Sequence, residues 1–157
     1  MKKQETTKRG FTVIEIMIIV LVIGVLLAVV LPSIRAVRRN SRIKQAEAQL
    51  EILAAAIKQL AWDTGKFPGA KPLVDGKEVP NLTVPDAGLL AEDGDFPNWK
   101  GPYIRNIPLD PWGARYFFDA DYTMPDGDVR TVVGSHGPNR SAMNAYDSDN
   151  IVVLLDD

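Results

Sequence analysis

The chain opens with a polar, basic stretch and then turns abruptly apolar. Residues 11–31 form a run of 21 positions that is apolar except for Thr12 and Glu15, with Gly24 its one glycine. A helix of that length rises about 31 Å, which matches the ~30 Å hydrocarbon core of a bilayer. The run is too long for the apolar part of a secretory signal peptide, and it passes without a break into a second helical pattern. It is therefore expected to be retained as a membrane helix. Past Pro32 the pattern becomes amphipathic. Ile43, Ala46, Leu50, Leu53, Ile57 and Leu60 recur at spacings of three and four, which places them on one helical face. Gly65 and Pro68 predict the end of this helix near residues 62–64. Pro32 removes one backbone donor and is expected to kink or locally unwind the helix.

The rest of the chain changes period again. Residues 65–114 are rich in Gly, Pro and Asp and read as an irregular connecting region, with one short helical turn around Asp86-Ala87-Gly88-Leu89-Leu90. Three strand signals follow: Arg115-Tyr116-Phe117-Phe118, Val129-Arg130-Thr131-Val132-Val133 and Ile151-Val152-Val153-Leu154-Leu155. Met124-Pro125-Asp126-Gly127-Asp128 supplies a turn between the first two. The third strand is apolar throughout and is expected to be buried on both faces or packed under the helix. The fold class expected is α+β: a long N-terminal helix, membrane-spanning in its first half, packed on a small antiparallel sheet of about three strands. The segments are 1–10, 11–31, 32–64, 65–114 and 115–157.

Charge and composition narrow the chemistry. The chain is formally −2, but Lys2, Lys3, Lys8 and Arg9 lie in the first ten residues with Glu5. Without those ten residues, 18 − 4 = 14 bases face 20 − 1 = 19 acids, a net of −5. Such a balance argues against a nucleic-acid partner, which requires a dense basic face. With no cysteine and one histidine, disulfides, thiolate metal sites and most histidine chemistry are excluded. No nucleophile–base pair or glycine-rich phosphate loop is visible, so no catalytic residue is assigned. Positive charge flanks the apolar run on both sides, with Arg35, Arg38, Arg39, Arg42 and Lys44 beyond it, and leaves the orientation open. Glu15 is a carboxylate within an apolar run. It either snorkels toward the headgroups or has a functional partner.

The junction Lys8-Arg9-Gly10-Phe11-Thr12-Val13-Ile14-Glu15 resembles the cleavage site of type IV prepilins. That resemblance implies cleavage of the 1–10 leader between Gly10 and Phe11 by a prepilin peptidase, which also N-methylates Phe11. It implies assembly roles for Glu15, Gly24 and Pro32, with Glu15 meeting the terminal amine of a neighbouring subunit. It also sets the topology that charge leaves open: a single pass of the bacterial inner membrane, N-terminus cytoplasmic, C-terminal domain periplasmic.

Further along, Gly101-Pro102-Tyr103-Ile104-Arg105 and Pro108-Leu109-Asp110-Pro111-Trp112-Gly113 resemble the signature of the major pseudopilins of type II secretion systems. This implies a structural subunit that forms a helical homopolymer. Its other partners would be minor pseudopilins and an inner-membrane assembly platform. A pilin of a type IV pilus, serving adhesion, motility or DNA uptake, is the alternative. The motif itself reads as a rigid turn that sets Trp112 as an anchor for the first strand.

Between the second and third strands lies a polar loop with little large apolar surface beyond Met143 and Tyr146. Ordering such a loop costs about 1 kcal/mol per residue or more. A hard cation would offset that cost, since Ca²⁺ takes six to eight oxygens. Ser135, Asn139, Asp147, Ser148, Asp149 and Asn150 carry suitable atoms. The pseudopilin resemblance implies a calcium site here, with Ser135, the backbone carbonyl of His136, Asn139, Asp147, Asp149 and Asn150 as its ligands. This chain departs from the family pattern in having Asn139 and Asn150 where acids are usual. Asp119, Asp121, Asp126 and Asp128 read as turn and edge-strand charges.

Overall fold

The computed structural model describes residues 10–69, 78–141 and 146–155; within its long helix, the side chains of residues 29–33 are outside the description. The leader residues 1–9, the Pro32 side chain and Met143 therefore lie outside the described residues. Two compact units are distinguished, Met1–Asn40 and Ser41–Asp157.

Helix α1 runs Val13–Thr64, and its helical assignment is uninterrupted at Pro32. Its start is capped reciprocally. The N–H of Glu15 donates to Thr12 Oγ1 at 3.3 Å, and the N–H of Thr12 donates to Glu15 Oε2 at 3.4 Å. This is a capping box, which satisfies two backbone donors that a helix N-terminus leaves unpaired. In the first unit the apolar side chains of Phe11, Val13, Ile14, Met17, Leu21 and Val25 are exposed. Nothing lies within 4 Å of a Cβ placed on Gly24. Among the described residues no helix is long and apolar enough to cross a membrane. The described side chains of the apolar run end at Ala28, so a span over 11–31 rests on the sequence.

In the second unit the helix ends as its sequence predicts. Gly65 takes a positive φ of 68°, and its N–H donates to the carbonyl of Ala61 at 2.9 Å. Ala46, Leu50, Leu53, Ile57 and Leu60 are fully buried. The four from Leu50 to Leu60 pack with Tyr116, Phe118, Val133 and Leu155 from the C-terminal third, together with Leu82, Leu89, Phe96 and Ile107 from the connecting region.

The sheet has the order β1-β2-β3, with strands Phe117–Thr123, Val129–Ser135 and Ile151–Leu154 all antiparallel to their neighbours. Side chains alternate across it, as a pleated sheet requires. Phe118 and Val133 join the cluster under the helix, while Phe117, Tyr122 and Val132 form a second cluster on the opposite face. Strand β3 differs from its expected full burial. Its residues are half-buried, with Ile151 and Val153 packed on the first cluster and Val152 and Leu154 on the second. The reason is its place at the edge of the sheet.

Strand β1 starts two residues later than the apolar signal and continues through Asp119 and Asp121 to Thr123. An irregularity in pairing between Asp119 and Tyr122 accommodates them. Asp119 does lie on an edge strand, but it is buried, at 1% exposure, and its Oδ1 accepts the N–H of Asp121 at 3.0 Å.

The irregular region 65–114 is pinned rather than loose. Trp99 Nε1 donates to the carbonyl of Gly88 at 2.8 Å, and the Tyr103 N–H donates to the carbonyl of Leu89 at 2.9 Å. Among its described residues the helical content is one 3₁₀ turn, Pro85–Ala87. Lys100 Nζ reaches Asp63 Oδ1 at 3.0 Å and ties this region to the end of α1.

Burial holds the Asp119 carboxyl up at about 6, with a hydrogen bond to the Asp121 side chain and the nearby charges of Asp121 and Glu78 acting the same way. A folded value above the unfolded one, about 3.9, means that the folded chain holds the proton more tightly. Stability from this group is then present at low pH and lost as pH rises through about 6. Asn in place of Asp119 cannot ionise. Asp119→Asn is expected to unfold at a higher temperature than the unmodified chain at pH 7.5, with the gap closing below about pH 4. Melts across that range check this, and a gap that persists at low pH would contradict it.

Candidate functional site at the loop between β2 and β3

The turn before β1 is built around one carboxylate. Asp110 is buried at 4% exposure. Its Oδ1 accepts the N–H groups of Trp112 at 3.0 Å and Ala114 at 2.7 Å. Its backbone closes the same turn, from Asp110 N–H to the Ala114 carbonyl and from Gly113 N–H to the Asp110 carbonyl, both at 2.9 Å. Asp fits here because a short acceptor side chain can mimic a turn of backbone, and Gly113 supplies the positive φ of 85°. Trp112 is buried beside it, as its anchor role requires.

The second oxygen of Asp110 reaches across to the loop. Ser135 Oγ, fully buried at the end of β2, donates to Asp110 Oδ2 at 2.6 Å and accepts the N–H of Gly137 at 3.1 Å. A rigid turn accounts for only part of the Asp-Pro-Trp-Gly motif: its carboxylate also sets where the β2 exit begins. Gly137 has a φ of 65°, and a Cβ there would collide with the backbone oxygen of Asp149. The two ends of the loop therefore meet where only glycine fits. Tyr116, nearby, is raised to about 12, first by burial and then by the Asp110 charge.

Several described loop residues bond to one another. Asn139 Oδ1 accepts the N–H of Ser141 at 2.8 Å, which turns Nδ2 toward Asp147 Oδ2, also at 2.8 Å. Asp147 Oδ1 accepts the N–H of Asp149, and the Asp147 carbonyl accepts the N–H of Asn150, both at 2.9 Å. Asn150 is buried, and its Nδ2 donates to the Tyr122 hydroxyl at 2.6 Å. His136 stacks on Phe117 with ring centroids 4.5 Å apart, and burial lowers its imidazole pKa.

Hydrogen bonds place five of the six expected calcium ligands, all but the His136 carbonyl. Asn139 and Asp147 bond to each other, and Asp147 also accepts the N–H of Asp149. Ser135 faces inward to Asp110, and Asn150 faces inward to Tyr122. As they stand, Asn139 and Asp147 do not converge on a hard cation: an amide N–H₂ rather than a lone pair faces the Asp147 carboxylate. Among the described residues no three acidic or imidazole groups are gathered for a metal. Asp110, Tyr122 and Gly137 were absent from the site that the sequence marks. The Asp-Pro-Trp-Gly motif pointed to the first. Nothing in the sequence pairs Tyr122 with Asn150, 28 residues away. Thr12 was legible, since Thr-x-x-Glu is the capping-box pattern.

A long helix whose C-terminal part carries a three-stranded antiparallel sheet, entered through an Asp-Pro-Trp-Gly turn, is the architecture of a pilin-like subunit. The chain belongs to the protein G family of type II secretion systems. The family model described as "Type II secretion system (T2SS), protein G" matches residues 34–152. Curated relatives named type II secretion system core protein G agree. That of Pseudomonas aeruginosa is 26% identical over 147 residues, covering 94% of this chain and 97% of the relative. That of Dickeya chrysanthemi is 27% identical over 135 residues, 86% and 80% of the two chains. That of Klebsiella pneumoniae is 30% identical over 109 residues, 69% and 72%. No solved structure matches.

Replacing Asp110 by Ala would leave the Ser135 hydroxyl and two backbone N–H groups buried without their acceptor, each costing about 1–3 kcal/mol. Asp110→Ala is expected to destabilise the chain by about 3 kcal/mol or more, and Asp110→Asn by less, because its amide oxygen still accepts the turn N–H groups. Thermal unfolding of the two variants beside the unmodified chain checks the order. Equal midpoints in all three would contradict the Asp110 account.

Proposed function

We propose that this chain is a structural, non-catalytic subunit of the type II secretion pseudopilus, which polymerises through its N-terminal helix to help drive protein export across the outer membrane. Membership of the protein G family carries this reading. In it, the leader is cut after Gly10, Phe11 becomes the methylated first residue, and residues 11–31 cross the inner membrane once before entering the filament. The head then lies in the periplasm, where it meets further copies, minor pseudopilins and the assembly platform.

Two local features support the assignment. Apolar side chains from Phe11 to Leu27 stand exposed on the single chain, as expected of a surface covered by lipid or by other copies. Cleavage after Gly10 would also leave Thr12 in place, so the capping box at the helix start survives maturation. Glu15 then has two roles to fill: it caps its own helix, and its charge is available to a neighbouring subunit's amine. A charge in apolar surroundings is tolerated when paired, and a subunit one residue out of register would leave it unpaired. The pair thus fixes register more than it adds stability.

Intact-mass measurement on membrane-extracted protein is expected to give a chain that starts at a methylated Phe11. A mature mass that still includes residues 1–10 would overturn this reading. Glu15→Gln keeps both capping bonds and loses the charge, whereas Glu15→Ala loses the charge and the bond from the Thr12 N–H. Both variants are expected to insert and be cleaved but to fail in filament assembly and secretion. Normal filaments from Glu15→Gln would assign Glu15 to capping alone.

A further inference from the structure

We infer that the two described ends of the loop between β2 and β3, residues 136–141 and 146–150, are held by amide donors of this chain in place of a cation: Asn139 holds the Asp147 carboxylate, and Asn150 holds the Tyr122 hydroxyl. The orientation of Asn139 is fixed by its own bonds. Its oxygen is taken by the N–H of Ser141, so the group facing Asp147 Oδ2 is an N–H donor. A carboxylate at 139 would instead set two negative oxygens about one hydrogen-bond length apart. Like charges that close disfavour ionisation and loosen the contact unless a cation lies between them. An amide donor removes that need, because it supplies positive polarity to the same oxygen.

Asn150 does the equivalent work on the buried side. Its Nδ2 donates to Tyr122, which lies in the second apolar cluster with Phe117 and Val132. The base of β3 is thereby fastened to β1 across the sheet. An aspartate here would bring a charge into a site at 6% exposure, where an unpaired carboxylate is costly. Ser135 completes the set, with its hydroxyl engaged by Asp110 and Gly137. Asn139 and Asn150 thus each carry a donor with a defined acceptor. This inference stands on the loop's own contacts and is independent of filament assembly.

The test is thermal unfolding of the full chain in detergent, followed by near-UV circular dichroism, in chelator, in calcium and in magnesium. The unmodified chain is expected to unfold at the same temperature in all three. Asn139→Asp is expected to lose several degrees in chelator and to regain them in calcium but not in magnesium, whose tight octahedral geometry suits an irregular loop poorly. Asn139→Ala is expected to lose stability that no cation restores. A midpoint for the unmodified chain that calcium raises by several degrees over chelator would overturn the inference whatever the variants do. So would an Asn139→Asp chain as stable in chelator as the unmodified one.

Discussion

One helix face decides the architecture. Leu50, Leu53, Ile57 and Leu60 each remove a large side chain from water against the sheet and the connecting region. A fully buried aliphatic side chain of this kind contributes about 1.5–3 kcal/mol. The sheet and the described part of the connecting region both contribute side chains that cover that stripe. The sheet must present Tyr116, Phe118, Val133 and Leu155 to it, which fixes strand register, because a slip of one residue would turn the other face inward. The connecting region brings Leu82, Leu89, Phe96 and Ile107 to the same cluster, which explains why a segment without regular structure is nevertheless held by Trp99 and Tyr103.

The register imposed by the stripe places the end of β2 beside the turn that enters β1. That adjacency lets a single carboxylate, Asp110, organise the turn with one oxygen and the loop with the other. The polar loop then inherits a fixed starting point at Ser135 and a forced close approach at Gly137. Among its described side chains, Asn139 then pairs with Asp147, and the Asn150 N–H₂ with Tyr122. A small head without disulfides thus spends its polar residues on a few buried or interlocked hydrogen bonds, each positioned by the apolar core beneath it.

The parts of this arrangement that depend on local pattern were legible in the sequence. The helical stripe, its end at Gly65, the turn at 124–128 and the three strands follow from periodicity and turn chemistry. What escaped depended on contacts distant in the chain. Asp119 reads as a surface acid because a strand's pairing irregularity, which decides its burial, has no residue signature. Ser135 carries an oxygen atom that suits a cation, and only the position of Asp110 shows that it is engaged elsewhere. Residue type fixed what each loop side chain could do, and tertiary placement chose among those uses.

The N-terminal apolar segment stands apart from this economy, because its described apolar side chains are exposed. Its exposed side chains make sense as a surface that other copies complete. The most direct measurement uses the absence of native cysteine. Ile16→Cys is paired in turn with a cysteine at each of Ile23, Val25, Leu26 and Leu27, and cells carrying the secretion machinery are oxidised and run on non-reducing gels. The account predicts a ladder of disulfide-linked multimers for at least one pair, as expected when the segments of successive copies lie side by side in a filament. Monomers alone from every pair would contradict it.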